Sequence, residues 1–192
     1  MIQVAVVSVE GGSPATLTSG SADNLDPRWS PDGLRIAFRS NRGGPFRTWV
    51  LSRDSVGGPW RGPTRLGDVQ GCMDWAPDGA VLACTDAQGG LVLVSAHDGR
   101  ILRSDLLAHS HLSFFGNSRF SRDGRTMYVW GNSEDGRKGI WAISMAGGPT
   151  RLVVAFDDPT LLGTGWFSVG PDRLYVTVSH YESDVWVATL KW

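Results

Sequence analysis

The residues best suited to chemistry are few and scattered. His109-Ser110-His111 sets two imidazoles on alternate positions, which on a strand would face the same way and could grip a metal ion. No third ligand accompanies them in the sequence, so a solvated loop without metal is the expectation. His180-Tyr181-Glu182 reads in the same way. The sequence holds no Gly-x-Ser-x-Gly nucleophile elbow, phosphate-cradling Walker loop, His-Glu-x-x-His pair or Asp-rich calcium loop. Ser121-Arg122-Asp123-Gly124 has the composition of a turn. The expectation is a non-enzymatic chain without a cofactor.

Cys72 and Cys84 are the only cysteines, too few for a disulfide scaffold and not spaced as a zinc-binding Cys-x-x-Cys pair. They flank a hairpin turn expected at Pro77 to Gly79. A cross-strand bridge would need a register that brings their β-carbons within about 4 Å; two buried thiols are the expectation.

Charge and hydropathy exclude whole classes of partner. The 18 basic and 19 acidic residues leave a net charge of -1, and 16 of the cations are arginines spread along the chain. No basic stripe exists to steer a nucleic acid onto the surface. No apolar run approaches the length that crosses a membrane as a helix, so no membrane insertion is expected. Met1 to Val7 has no cationic start and its apolar run breaks at Ser8, so no signal peptide is visible.

The elements that must position any site come from a repeat. Trp29-Ser30-Pro31-Asp32-Gly33 recurs as Trp75-Ala76-Pro77-Asp78-Gly79, as Phe120-Ser121-Arg122-Asp123-Gly124, and loosely from Phe167 to Asp172, with aromatic-to-aromatic spacings of 46, 45 and 47. Pro presets φ for a turn, Asp bonds nearby backbone N–H groups, and Gly supplies the positive φ that closes a hairpin. A β-prone segment follows each turn, as in Arg35 to Phe38 and Val81 to Cys84. A third strand is expected to carry Trp49, Leu93, Trp141 and Trp186 at matching places, and a Gly-rich turn then leads to a short fourth strand. Four short strands per unit of about 45 residues, with no helical periodicity, is the signature of an all-β propeller of four-stranded antiparallel blades. The units fall at 1–20 (a half blade), 21–66, 67–110, 111–158 and 159–192 (three strands), with strands near Gln3 to Val9 and Ala15 to Thr18 at the start and Val185 to Leu190 at the end. The recurring aromatics belong where neighbouring blades pack. Trp60, Trp166 and Trp192 are left over, too few for the reading of an aromatic cage to be preferred.

These motifs resemble the TolB-like β-propeller family, whose blades carry Trp-Ser-Pro-Asp-Gly followed by an Ile-Ala-Phe type strand, here Trp29 to Gly33 with Ile36-Ala37-Phe38. Asp26-Pro27-Arg28 before the motif and Ser40-Asn41-Arg42 after it fit the same pattern. The resemblance implies about four blades from the carboxy-terminal portion of a larger propeller, forming an open arc or a strained ring. It also implies a protein or peptide partner and a place in the periplasm or cell envelope. The ending Tyr181 to Val187 is similar to the last blade of propellers appended to bacterial serine/threonine kinases and winged-helix regulators, which implies a sensor module as an alternative. A propeller from a prolyl-oligopeptidase type of enzyme is a further alternative. Rigid strands hold variable loops around the mouth of a propeller channel. On that ground Asp26, Arg42, His109, His111, Asn117, Tyr181 and Glu182 are the candidate binding-loop residues.

Overall fold

The computed structural model describes residues 1–108, 110–157 and 161–180. Sixteen strands and no helix are found among them, every strand pair antiparallel. A two-stranded half blade, β1 (Ala5–Val6) and β2 (Ala15–Thr16), precedes three four-stranded blades. Blade one contains β3 (Asn24–Trp29), β4 (Arg35–Ser40), β5 (Arg47–Ser52) and β6 (Arg61–Arg65). Blade two contains β7 (Gly71–Trp75), β8 (Val81–Thr85), β9 (Leu91–Ser95) and β10 (Ile101–Arg103). Blade three contains β11 (Leu112–Phe120), β12 (Thr126–Ser133), β13 (Lys138–Ser144) and β14 (Arg151–Ala155). β15 (Leu161–Val169) and β16 (Leu174–His180) open the fourth unit. The third-type strand expected at Val185 to Leu190, with Trp186, lies outside the described residues. Among the described residues no sheet closes on itself, and they form a partial propeller.

Each blade is built outward from the first hairpin. Asp32, Asp78 and Asp123 each accept the backbone N–H two residues on, from Leu34, Ala80 and Arg125. Gly33, Gly79 and Gly124 sit at φ 68°, 70° and 69°, a region that L side chains rarely enter. The near-identity of these angles reflects a turn specified by five local residues. The fourth unit, lacking the full motif, turns instead on the hydrogen bond from Gly170 N–H to the Arg173 carbonyl.

Blade two is apolar on both faces, because it is sandwiched between two others. In blade two, Leu82, Cys84, Val92 and Val94 face Ala37 of blade one and Leu66 and Val69 of the connection that follows it. Ala83, Leu91 and Leu93 face the other way, into Phe120, Met127, Val129, Trp141 and Ile143 of blade three. This explains the unbroken run Leu91-Val92-Leu93-Val94, which alternation into solvent would forbid. It also corrects the expected register of the third strands. Trp49 pairs with Phe38, and Trp141 with Val129; Phe38, Cys84 and Val129 each lie nine residues after the repeat aromatic. Cys84 pairs with Val92. Val92, not Leu93, is therefore the counterpart of the two tryptophans, and Leu93 belongs to the opposite face.

Between blades one and two the repeat aromatic Trp75 acts as a seated plug. Trp75 is buried, its Nε1 donates to the Arg28 carbonyl at 3.1 Å, and the Arg35 guanidinium stacks on its ring at 4.7 Å. Arg35 also donates to the carbonyls of Gly79 and Ala96 at 2.7 and 3.3 Å, so one side chain of blade one holds the turn and ring of blade two. The half blade is held to blade one by buried Val4 against Ile36, Phe38 and Leu51. Buried Asn24 adds a polar tie, donating to the carbonyl of Ile2 and to Gln3 Oε1.

The cysteines are bonded, a correction to the expectation of two thiols. Cys72 and Cys84 are directly opposed on β7 and β8 with a Cα–Cα distance of 3.9 Å. A register in which they face each other across the hairpin supplies what spacing alone left open. Their sequence separation of 12 corresponds to a loop-closure contribution of about 3 kcal/mol. Replacing both by alanine is expected to lower unfolding free energy in urea by about that amount under oxidising conditions. Adding a reductant should remove most of the difference between variant and wild type.

Candidate functional site

The innermost strands β3, β7, β11 and β15 share an irregularity. Each pairing with the next strand shifts register just before the repeat aromatic: between Leu25 and Arg28, Cys72 and Asp74, Phe114 and Ser118, and Gly163 and Phe167. A bulge re-aims the side chains around it. Here the re-aimed positions surround a cavity of about 370 Å³ lined by Asp26, Arg28 and Arg39 of blade one, Gly71, Cys72 and Met73 of blade two, Asn117 and Trp130 of blade three, and Trp166.

The repeat arithmetic organises this wall. Three residues before the aromatic come Asp26, Cys72 and Asn117, all of which line the cavity; one residue before it come Arg28 and Trp166, which line it, and Asp74 and Arg119, which pack beside it. Asp26 holds a left-handed backbone at φ 54°, unusual for a residue other than glycine and more so before proline. Its carboxylate meets Arg39 Nη1 at 3.2 Å. Asn117 donates through its side-chain amide to the Gly165 carbonyl, linking blade three to β15. Trp166 stands 59% exposed at the rim, whereas the neighbouring Phe167 is buried in the repeat position.

Beneath the rim lies a charged layer. Arg28 Nε and Arg119 Nη1 both donate to the Met73 carbonyl at 2.9 Å. Asp74 Oδ2 accepts from the backbone N–H of Phe120 at 2.8 Å, fastening blade two to blade three. Burial pushes the Asp74 carboxyl above its ordinary range, opposed by that hydrogen bond and by the charges of Arg119 and Arg28. Burial pulls Arg119 down, with the like charge of Arg28 adding to the effect and Asp74 countering it.

Of the candidate binding-loop residues, the structure brings Asp26 and Asn117 into this one cavity. It places Arg42 elsewhere, donating to Asn24 Oδ1 at 2.8 Å and lying over the rings of Phe38 and Trp49 at 5.6 and 5.3 Å. His111 is exposed, holds φ 52°, and its Nδ1 is 3.0 Å from Glu134 Oε1, outside the cavity. His109, Tyr181 and Glu182 lie outside the described residues. Arg28, Arg39, Cys72 and Trp166 also line the cavity but were not among the candidate binding-loop residues read from the sequence. The usable signal was the constant offset from the repeat aromatic, since a position that recurs once per blade recurs around the axis.

The raised Asp74 carboxyl has a definite sign in stability. An unfolded aspartate releases its proton near pH 3.9, whereas folded Asp74 holds it to higher pH. In that window the folded state binds more protons, so this group's contribution is fully present below the unfolded value and declines as pH rises through the folded one. Asp74→Asn should remove the decline. Urea unfolding from pH 3.5 to pH 7 is expected to show the variant gaining on wild type as pH rises; a gap that does not change with pH would contradict the assignment.

No family model matches the chain, and no curated protein matches it. Solved structures do. A TolB from Acinetobacter baumannii superposes with a TM-score of 0.63 at 16% identity, covering 93% of this chain and 46% of that one. A protein assigned as a TolB from Agrobacterium tumefaciens gives 0.58 at 19% identity, covering 80% and 56%. An oligogalacturonate lyase in complex with manganese gives 0.58 at 10% identity, covering 93% and 58%. The chain thus spans about half the length of the structures it matches. At these identities the likeness concerns architecture, and the architecture is that of a TolB-like β-propeller, present as an arc of its blades.

Proposed function

We propose that the chain is a non-catalytic binding module that takes up a segment of a protein or peptide at the axial cavity. The observation that carries this reading is the convergence of Asp26, Cys72, Asn117 and Trp166 on one cavity from four separate inner strands. Concave sites that join a few placed polar groups to an exposed aromatic have the composition of recognition surfaces. The strands that deliver these residues are tied to one another through Asn117, Trp75 and Asp74, so little ordering cost falls on binding. The TolB-like fold supports a partner that is a protein. The Cys72–Cys84 disulfide suits an oxidising compartment such as the periplasm.

The test is selection of random displayed peptides on the immobilised chain, followed by affinity measurement on variants. Enriched peptides are expected to lose about tenfold or more in affinity on Trp166→Ala, as an aromatic anchor does, and to be indifferent to His111→Ala. Failure to enrich any peptide, or binding unaffected by Trp166→Ala, Asp26→Ala and Asn117→Ala alike, would remove the reading.

A further inference from the structure

We propose that Arg42 and the loop at residues 19–22 form an anion site that takes a phosphate group, free or carried as the monoester of a small molecule. The site goes beyond the binding role above and shares no lining residue with the axial cavity.

The loop joins the half blade to blade one and meets the turn between β4 and β5, at residues 41–43, across a cleft of about 420 Å³. Two side chains set the course of its backbone. Gln3 Nε2 donates to the carbonyls of Gly20 and Ala22 at 3.2 and 3.3 Å, and Asn24 Nδ2 adds a bond to Ala22 at 3.0 Å. In a planar trans peptide the N–H lies opposite the carbonyl. The amides of Ser21 and Asp23 therefore point away from Gln3. Asp23 N–H reaches Asn41 Oδ1, a residue of the cleft wall, at 2.8 Å. Ser21 N–H and the hydroxyls of Ser19 and Ser21 find no acceptor among the described residues.

Arg42 is the one charged residue lining the cleft. Its Nε and Nη2 are held by neutral acceptors, Ser40 Oγ at 3.1 Å and Asn24 Oδ1 at 2.8 Å, and it stands over the rings of Phe38 and Trp49. No described carboxylate pairs with it, and burial alone bears on its titration, drawing the pKa below the usual arginine value. Asp23, beside the loop in sequence, has its carboxylate engaged by Ile2 N–H at 2.8 Å.

This donor set selects among anions. A planar carboxylate is gripped best by two parallel bonds from one guanidinium fork. With Nε and Nη2 engaged, Arg42 has only Nη1 left and no fork to offer. The remaining donors, Ser21 N–H and the two hydroxyls, come singly from another loop. Single donors from separate directions suit a tetrahedral oxyanion, whose several oxygens can each meet one. A cleft of about 420 Å³ also leaves space beside the phosphate for the carbon skeleton of a monoester.

The test titrates the full chain with inorganic phosphate and with glycerol phosphate at constant ionic strength, following the amide resonances of Ser21 and Gly43 by NMR, with acetate as the planar comparison. Phosphate is expected to move these signals saturably, and Arg42→Gln to weaken binding about tenfold or more, as the loss of a charge-assisted contact does. Arg42 also braces Asn24 and Ser40, so Ser21→Asp, which sets a like charge at an exposed loop position, is the second variant and is expected to abolish binding. Thermal melts verify that both variants fold. Tighter binding of glycerol phosphate upholds the site with a monoester as the source, and tighter binding of inorganic phosphate upholds it with the free ion. Signals that do not saturate, that acetate moves equally, or that persist in both variants overturn the site. The peptide reading stands or falls separately, because the axial cavity contains neither Arg42 nor Ser21.

Discussion

Everything in this molecule depends on sheets that are apolar on both faces and therefore cannot stand alone. Blade two is stable only because Leu82, Cys84, Val92 and Val94 find blade one while Ala83, Leu91 and Leu93 find blade three. Apolar contact is not directional, and by itself would let neighbouring sheets slide over one another. Arg35 removes that freedom, because the stack on Trp75 and the two carbonyl bonds at Gly79 and Ala96 are satisfied together in one relative placement of the blades. Hydrophobic burial thus drives association between units, and the guanidinium fixes its register.

The same division runs toward the axis. Bulges in β3, β7, β11 and β15 interrupt the hairpin ladders just before the aromatic plugs. Irregular backbone here does two jobs, ending the regular pairing that faces the neighbouring blade and turning polar side chains toward the centre. Polar groups that would be intolerable inside the seams collect instead where four strand ends meet. The hydrogen bonds from Trp75 to the Arg28 carbonyl and from Phe120 to Asp74 tie neighbouring blades together beside the cavity.

What the sequence disclosed followed from how local each feature is. The Asp and Gly of each hairpin turn act within five residues, so the turns at Gly33, Gly79 and Gly124 were legible with their geometry. Blade class was legible for the same reason, repeated at a spacing of about 46. The position of Leu93 was misread because blade two carries no tryptophan in its third strand, and an aromatic-led alignment slips by one residue there. The disulfide was missed because it depends on a pairing register next to a bulge, which no composition reports. Asp26 and Asn117 were found through topology. Arg28 was passed over because a residue flanking a motif looks like local context until the strands are arranged around an axis, where it lines the shared cavity.

Trp29 and Trp75 occupy the same place in successive units, yet one is 46% exposed and the other 4%. Trp75 is capped by an arginine from the unit before it, while Trp29 is attended by Arg53 and Trp60 of its own blade. The contact is asymmetric: blade one offers a guanidinium forward and blade two presents an indole backward. The seam between these two blades therefore has a polarity, as two stacked cups do: exchanging their order would part the guanidinium from the ring it covers.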